Sequence, residues 1–132
     1  MGDFTVALTA QSTQFKLGQP ISLTFSVSTI GSKEGKFCRY MTTAEGFNGN
    51  ILIVTNSSGE KFGYTGIMKK RGKPGPDDFI HLKASESKSF SFELETVYPI
   101  TQVGSYTVQF KGNKSMNNLP DSNVLKVDIT AP

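Results

Sequence analysis

The feature that most constrains this chain is a strict alternation of apolar and polar residues. Ile21, Leu23, Phe25 and Val27 are separated by Ser22, Thr24 and Ser26. Side chains on a strand point to opposite faces in turn, so a period of two describes one buried face and one wet face. The pattern recurs. Phe90, Phe92 and Leu94 alternate with Ser89, Ser91 and Glu93, Tyr106, Val108 and Phe110 with Thr107 and Gln109, and Leu125, Val127 and Ile129 with Lys126 and Asp128. Weaker strand candidates are Phe4 to Leu8, Lys36 to Met41, Asn50 to Thr55, Lys61 to Ile67 and Asp78 to Lys83. No stretch carries a helical period.

Turn chemistry separates these runs. Leu17-Gly18-Gln19-Pro20 precedes the second strong strand, and Asn56-Ser57-Ser58-Gly59 joins two strands in hairpin fashion. Gly72-Lys73-Pro74-Gly75-Pro76 is a stretch that neither a helix nor a central strand tolerates. Short strands at roughly ten-residue spacing, without helices between them, predict an all-β fold. The expected architecture is an immunoglobulin-like two-sheet antiparallel sandwich of about eight strands in one domain. The 132 residues suffice for a core without metal or disulfide, and ten Phe with no Trp make it a phenylalanine core. Gly104-Ser105-Tyr106 has the form of a tyrosine corner, in which the hydroxyl of a Tyr early in a late strand ties down the preceding loop; the alternative is a plain core Tyr.

Charge and cysteine content narrow the function. The net charge of +3 is mild and is concentrated in Lys69, Lys70, Arg71 and Lys73, a run short enough to be a solvated loop. Without a groove-entering helix or aromatic-flanked Gly/Lys pattern, no nucleic-acid partner is expected. Nor is membrane insertion, because no apolar run is long enough to span a bilayer. Met1-Gly2-Asp3 does not read as a natural leader, and no basic-then-apolar signal segment follows it. Cys38 is the single cysteine and sits beside Phe37 as a small buried hydrophobe. The single His81 lies in another strand-like run, so a Cys/His nucleophile is not expected. The sequons at Asn56 and Asn113 matter only in a eukaryotic secretory host. Asp77 and Asp78 would point to opposite faces of a strand, and with Asp121 they lack the spacing of a calcium loop. Neither an enzyme nor a cofactor is expected.

Two central segments break the alternation: Arg39-Tyr40-Met41-Thr42-Thr43-Ala44-Glu45-Gly46-Phe47 and Tyr64-Thr65-Gly66-Ile67-Met68-Lys69-Lys70-Arg71-Gly72-Lys73-Pro74. An aromatic-Thr-x-x-Glu-Gly-Phe-like segment, then Tyr-x-Gly-x-x-x-Lys-Arg-x-x-Pro, then an acidic residue and an apolar strand (Asp77, Asp78, Phe79, Ile80) resembles the non-catalytic, propeptide-type N-terminal domain of secreted metalloendopeptidases of the deuterolysin and peptidyl-Lys type. The likeness runs from about Leu17 to Phe110. Tyr40 and Thr43 stand where the family pattern has Trp and Pro, and the chain has no His-Glu-x-x-His.

The resemblance implies a secreted or periplasmic domain that engages a proteinase, a zinc metalloendopeptidase, as inhibitor or folding partner. It places the partner-binding residues at Tyr40, Thr42, Glu45 and Phe47 and at Tyr64, Ile67, Met68, Lys69, Lys70 and Arg71. A basic side chain among Lys69, Lys70 and Arg71 would enter an acidic cleft, with Ile67 and Met68 as the apolar part of the contact. Glu45, Gly46 and Phe47 also read as a turn anchor, with Gly46 at positive φ, Phe47 packed back and Glu45 paired with Arg39 or Arg71. The rival reading is an adhesion or carbohydrate-binding sandwich with Tyr40, Phe47 and Tyr64 as an exposed platform. A free edge strand would in addition support dimers by strand addition.

Overall fold

Ser22–Thr29 forms the central strand of one sheet, and its alternation explains the layering. In the computed structural model, which describes residues 4–69, 72–113 and 117–132, Leu23, Phe25 and Val27 are buried while Ser22 is exposed. Nine strands lie among the described residues: β1 Phe4–Thr9, β2 Gln14–Lys16, β3 Ser22–Thr29, β4 Gly35–Cys38, β5 Leu52–Asn56, β6 Phe79–Leu82, β7 Ser87–Glu93, β8 Gly104–Phe110 and β9 Leu125–Thr130. β1, β3 and β7 make one antiparallel sheet in that order. The other has the order β2-β9-β8-β5, and β4 and β6 form a separate two-stranded ribbon. The all-β sandwich is as expected.

The two larger sheets meet through their apolar faces. Phe25 on β3 packs on Phe110 on β8 with centroids 4.7 Å apart, and Phe4 on β1 meets Phe37 on the ribbon edge-on at 5.8 Å. Leu8, Val54, Val108 and Val127 fill the same cluster at zero exposure. Each such side chain contributes about 1.5–3 kcal/mol by leaving water. The opposite face of the β1-β3-β7 sheet carries small uncharged residues in register, with rungs Thr5–Ser28–Ser87, Ala7–Ser26–Ser89 and Thr9–Thr24–Ser91.

The departures from the expected strands have local causes. β2 is three residues long and pairs parallel to β9, too short for alternation to reveal it. Lys61 to Ile67 does not form a strand: beyond a single bridge from Lys61 to Thr55 and the Phe62 N–H to the Val54 carbonyl (2.9 Å), the backbone turns away. Asp77 and Asp78 lie in a 3-10 turn, Pro76–Asp78, not on a strand, because Pro76 starts the turn and Gly75 precedes it in extended conformation. Cys38 is buried as a small hydrophobe, and His81 is exposed on β6 opposite Lys36. The tyrosine corner is present, with the Tyr106 hydroxyl donating to the Gln102 carbonyl at 2.6 Å.

Candidate functional site

The first segment starts where β4 ends at Cys38 and closes on itself within a few residues. Thr42 caps a 3-10 turn, Thr43–Glu45: its hydroxyl accepts from the Ala44 N–H at 3.1 Å and donates to the Arg39 carbonyl at 2.7 Å. Gly46 ends the turn at φ 78°, a left-handed value that costs a side chain strain and glycine little. Glu45 turns inward, accepting from the Met41 N–H at 3.1 Å and pairing with Arg39 Nη1 at 3.4 Å. Phe47 then packs edge-on against Phe92 (5.5 Å) and Tyr98 (6.3 Å), as a turn anchor would.

The second segment is held from three sides. Thr65 donates both its N–H (2.8 Å) and its hydroxyl (2.9 Å) to the Val97 carbonyl, and the Lys69 N–H donates to the Asn48 carbonyl at 2.9 Å. The Tyr64 hydroxyl bends back to the Ile67 carbonyl while its ring lies on Tyr98 (5.8 Å) and near Phe47 (6.4 Å). Gly66 is required by that bend, since a Cβ there would stand 2.4 Å from the Tyr64 hydroxyl oxygen. The side chains at the apex face water: Ile67 is 60% and Met68 76% exposed.

Asp78 fastens the far end of the same loop. Its Oδ1 accepts from Arg39 Nε (3.0 Å) and Nη2 (2.7 Å), and its Oδ2 from the Tyr40 hydroxyl (2.8 Å) and the Gly75 N–H (2.9 Å). These donors, the Gly75 N–H and the Tyr40 hydroxyl before Arg39, hold the carboxyl below its ordinary range. Donating to Asp78 in turn raises the pKa of the Arg39 guanidinium above its ordinary value. Burial pushes the Tyr64 and Tyr98 phenols up. Arg39 thus clamps the first segment to the Pro76–Asp78 turn, lying 5.4 Å over the Tyr40 ring and reaching Glu45 on one side and Asp78 on the other.

The predicted contact residues therefore divide. Phe47 and Tyr64 are half-buried and in ring contact, and Ile67, Met68 and Lys69 are exposed on the loop that the Tyr64 hydroxyl holds. Tyr40, Thr42 and Glu45 are not at the surface: Tyr40 and Thr42 are buried and the Glu45 side chain is 2% exposed, so each serves the turn instead. Lys70 and Arg71 lie outside the described residues, as does part of the Asn113 sequon. The three-ring platform of the rival reading, Tyr40 with Phe47 and Tyr64, is not assembled, because Tyr40 is buried. Asn48, Val97 and Tyr98, which position the loop, follow no alternation and carry no signal in sequence. Asp78 stands out in the sequence as the acidic residue after the second motif and as a candidate oxygen donor, but not as a partner of Arg39. Among the described residues, no cluster of three His, Cys, Asp or Glu side chains is arranged to hold a metal.

Comparison with known proteins adds little beyond fold. No protein-family pattern matches the chain. Over 82 residues it is 33% identical to the small ribosomal subunit protein eS4 of Caenorhabditis elegans, a stretch covering 61% of this chain and 27% of that protein. It is similar in structure to a β-glucosidase from Erythrobacter marinus, with a TM-score of 0.53 and 14% identity over 98% of this chain and 16% of the enzyme. A β-glucosidase from Listeria innocua in complex with gluconolactone gives 0.51 and 13% over 97% and 16%. The chain spans only a small part of each of these proteins, and at such identities the two enzymes share its fold alone.

Proposed function

We propose that this chain is a non-catalytic recognition domain that engages a proteinase of the zinc metalloendopeptidase class, as inhibitor or folding partner, through the Tyr64-to-Lys69 loop. The observation that carries the reading is the exposure of Ile67 and Met68 on a backbone tied to Val97, Asn48 and the Tyr64 hydroxyl. Large apolar side chains on a pre-ordered loop reduce the entropy that binding must offset, which favours recognition over a merely solvated tip. The partner class rests on the resemblance of the two motifs, and a secreted or periplasmic location goes with it. Lys69, with Lys70 and Arg71 in sequence beside it, supplies the cationic part suited to an acidic cleft.

A purified metalloendopeptidase of the deuterolysin or peptidyl-Lys type, titrated with the full chain, tests this directly. The expected result is reduced protease activity or increased recovery of refolded protease. Ile67→Asp with Met68→Asp should weaken that effect by tenfold or more, given about 1.4 kcal/mol or more of lost apolar contact. No effect of the unmodified chain on either readout refutes the reading. If Lys69, Lys70 and Arg71 are all replaced by Ala and the effect is unchanged, the cationic part is wrong.

A further inference from the structure

The sheet edges of this sandwich are treated unequally. β5 is covered: the Leu52 N–H donates to the Tyr98 hydroxyl (3.1 Å), and the Phe62 N–H reaches the Val54 carbonyl (2.9 Å). On β1, the side chain of Asn123 takes the outward Leu8 N–H (2.8 Å) and donates to its carbonyl (3.1 Å), replacing a neighbouring strand. β2 is only three residues long, and the outward Cys38 N–H on β4 is taken by the Asn117 carbonyl at 3.3 Å. β7 is seven residues long, has no proline, and pairs with β3 on one side only, the Thr43–Glu45 turn packing near it without a backbone bond to it among the described residues.

Antiparallel pairing alternates which residues face the partner strand. The Leu94 N–H bonds the Ile21 carbonyl and the Thr29 N–H bonds the Glu86 carbonyl, so the even-numbered residues of this stretch face β3. The backbone of Ser87, Ser89 and Ser91 therefore faces outward, and among the described residues no backbone or side-chain group is bonded to it. The β4–β6 ribbon does not fill the gap. It stands across an open groove of about 620 Å³ lined by Glu34, Lys36, His81, Lys83, Glu86 and Lys88.

We propose that this edge pairs with β7 of a second copy of the chain, antiparallel about a two-fold axis at Phe90, to join two three-stranded sheets into one. The occupant follows from the strand's self-complementarity. The register that overlaps all of Ser87–Glu93 sets Ser87 opposite Glu93, Lys88 opposite Phe92, Ser89 opposite Ser91 and Phe90 opposite its own copy. No like charges face each other, and Lys88 against an aromatic ring is favourable. Ser89 and Ser91, whose backbones face outward, form the hydrogen-bonded pairs in this register, and Phe90 sits at a pair where side chains approach most closely. Phe90 and Phe92 are only half-buried in one copy, so pairing covers apolar surface that the single sandwich leaves wet. On the outer face, the uncharged rungs from Thr5, Thr9, Ser26, Ser28, Ser87 and Ser89 continue across the axis without repulsion.

Sedimentation of the full chain over a concentration series tests the pairing, with amide hydrogen exchange as the residue-level readout. The expected result is a monomer–dimer equilibrium in which the Ser89 and Ser91 amides become protected as the dimer forms. Both serines are exposed, so charge can be placed there without disturbing the core. Ser89→Lys with Ser91→Lys sets like charges opposite in both symmetric pairs and should raise the dimer Kd roughly tenfold relative to Ser89→Lys with Ser91→Glu. Ser89→Pro, which deletes an outward N–H and the exposed hydroxyl contact with Ser26 but no ladder bond to β3, should also abolish the dimer while leaving the unfolding temperature within a few degrees. A chain that stays monomeric up to about 1 mM refutes the proposal. So does a dimer that leaves those amides unprotected, or equal affinity of the Lys/Lys and Lys/Glu variants.

Discussion

Two tyrosine hydroxyls in this sandwich tie down backbone, and deleting them should have unequal cost. The Tyr98 hydroxyl accepts from the Leu52 N–H at 3.1 Å and donates to Asn50 Oδ1 at 2.7 Å, on a side chain with zero exposure. In Tyr98→Phe the ring keeps its contacts with Phe47 and Tyr64, so the change isolates the oxygen. Leu52 is itself buried, and its N–H then loses the hydroxyl that closed the β5 edge. A buried donor left unsatisfied costs about 1–3 kcal/mol. Tyr106→Phe removes a bond of 2.6 Å to the Gln102 carbonyl, but Gln102 is exposed and water replaces the donor. That deletion should cost about 0.5–1.5 kcal/mol. At this chain length each kcal/mol moves the melting temperature by roughly 3–5 °C. Thermal and urea unfolding of the two variants measure the difference, and amide exchange at Leu52 should accelerate in the first alone. If Tyr106→Phe costs as much as Tyr98→Phe, or Leu52 exchange is unchanged, the assignment of Tyr98 as the guard of the β5 edge is wrong.

Other outcomes follow from single contacts. The Thr43 hydroxyl is buried with no hydrogen-bond partner among the described residues, so Thr43→Val should stabilise the fold by about 1 kcal/mol, read from the urea midpoint. Gly66→Ala forces the Tyr64 hydroxyl off the Ile67 carbonyl; amide exchange across Ile67 and Met68 should speed up, and engagement of a protease should weaken with little loss of global stability. The Asp78 carboxyl lies below its ordinary value of 3.8 in the folded chain, so its contribution is fully present above that value and is lost as pH falls through the depressed one. The fall in the unfolding midpoint below about pH 4 should therefore be shallower in Asp78→Asn than in the unmodified chain, and identical profiles would exclude the clamp as its source.

How much of this was legible beforehand depended on the range of the interactions. Period-two alternation is a local consequence of strand geometry, so β3, β7, β8 and β9 could be placed from the residues alone. The tyrosine corner could be placed too, because its hydroxyl reaches only a few residues back, to Gln102. The same holds for Gly46, whose positive φ belongs to its own turn. The ionic clamp was only half visible: Glu45 lies six residues from Arg39, one of the two bases expected to pair with it beside Arg71, but Asp78 lies 39 residues on and takes the shorter contacts.

The amino-acid order by itself determined an all-β chain with a phenylalanine core and two segments that break its rhythm. Only the tertiary structure decided what those segments present. Tyr40, Thr42 and Glu45 turned inward because the buried backbone and carboxylate groups around them needed hydrogen-bond partners. Ile67 and Met68 stayed in water because Val97, Asn48 and Tyr64 hold the backbone of their loop out. Those anchors come from Asn48 and from Val97, 32 residues beyond Thr65, and no local pattern records a contact made across such distances. Edge protection has the same origin, since Asn123 guards Leu8 from 115 residues away and nothing comparable bonds the outward backbone of Ser89 among the described residues.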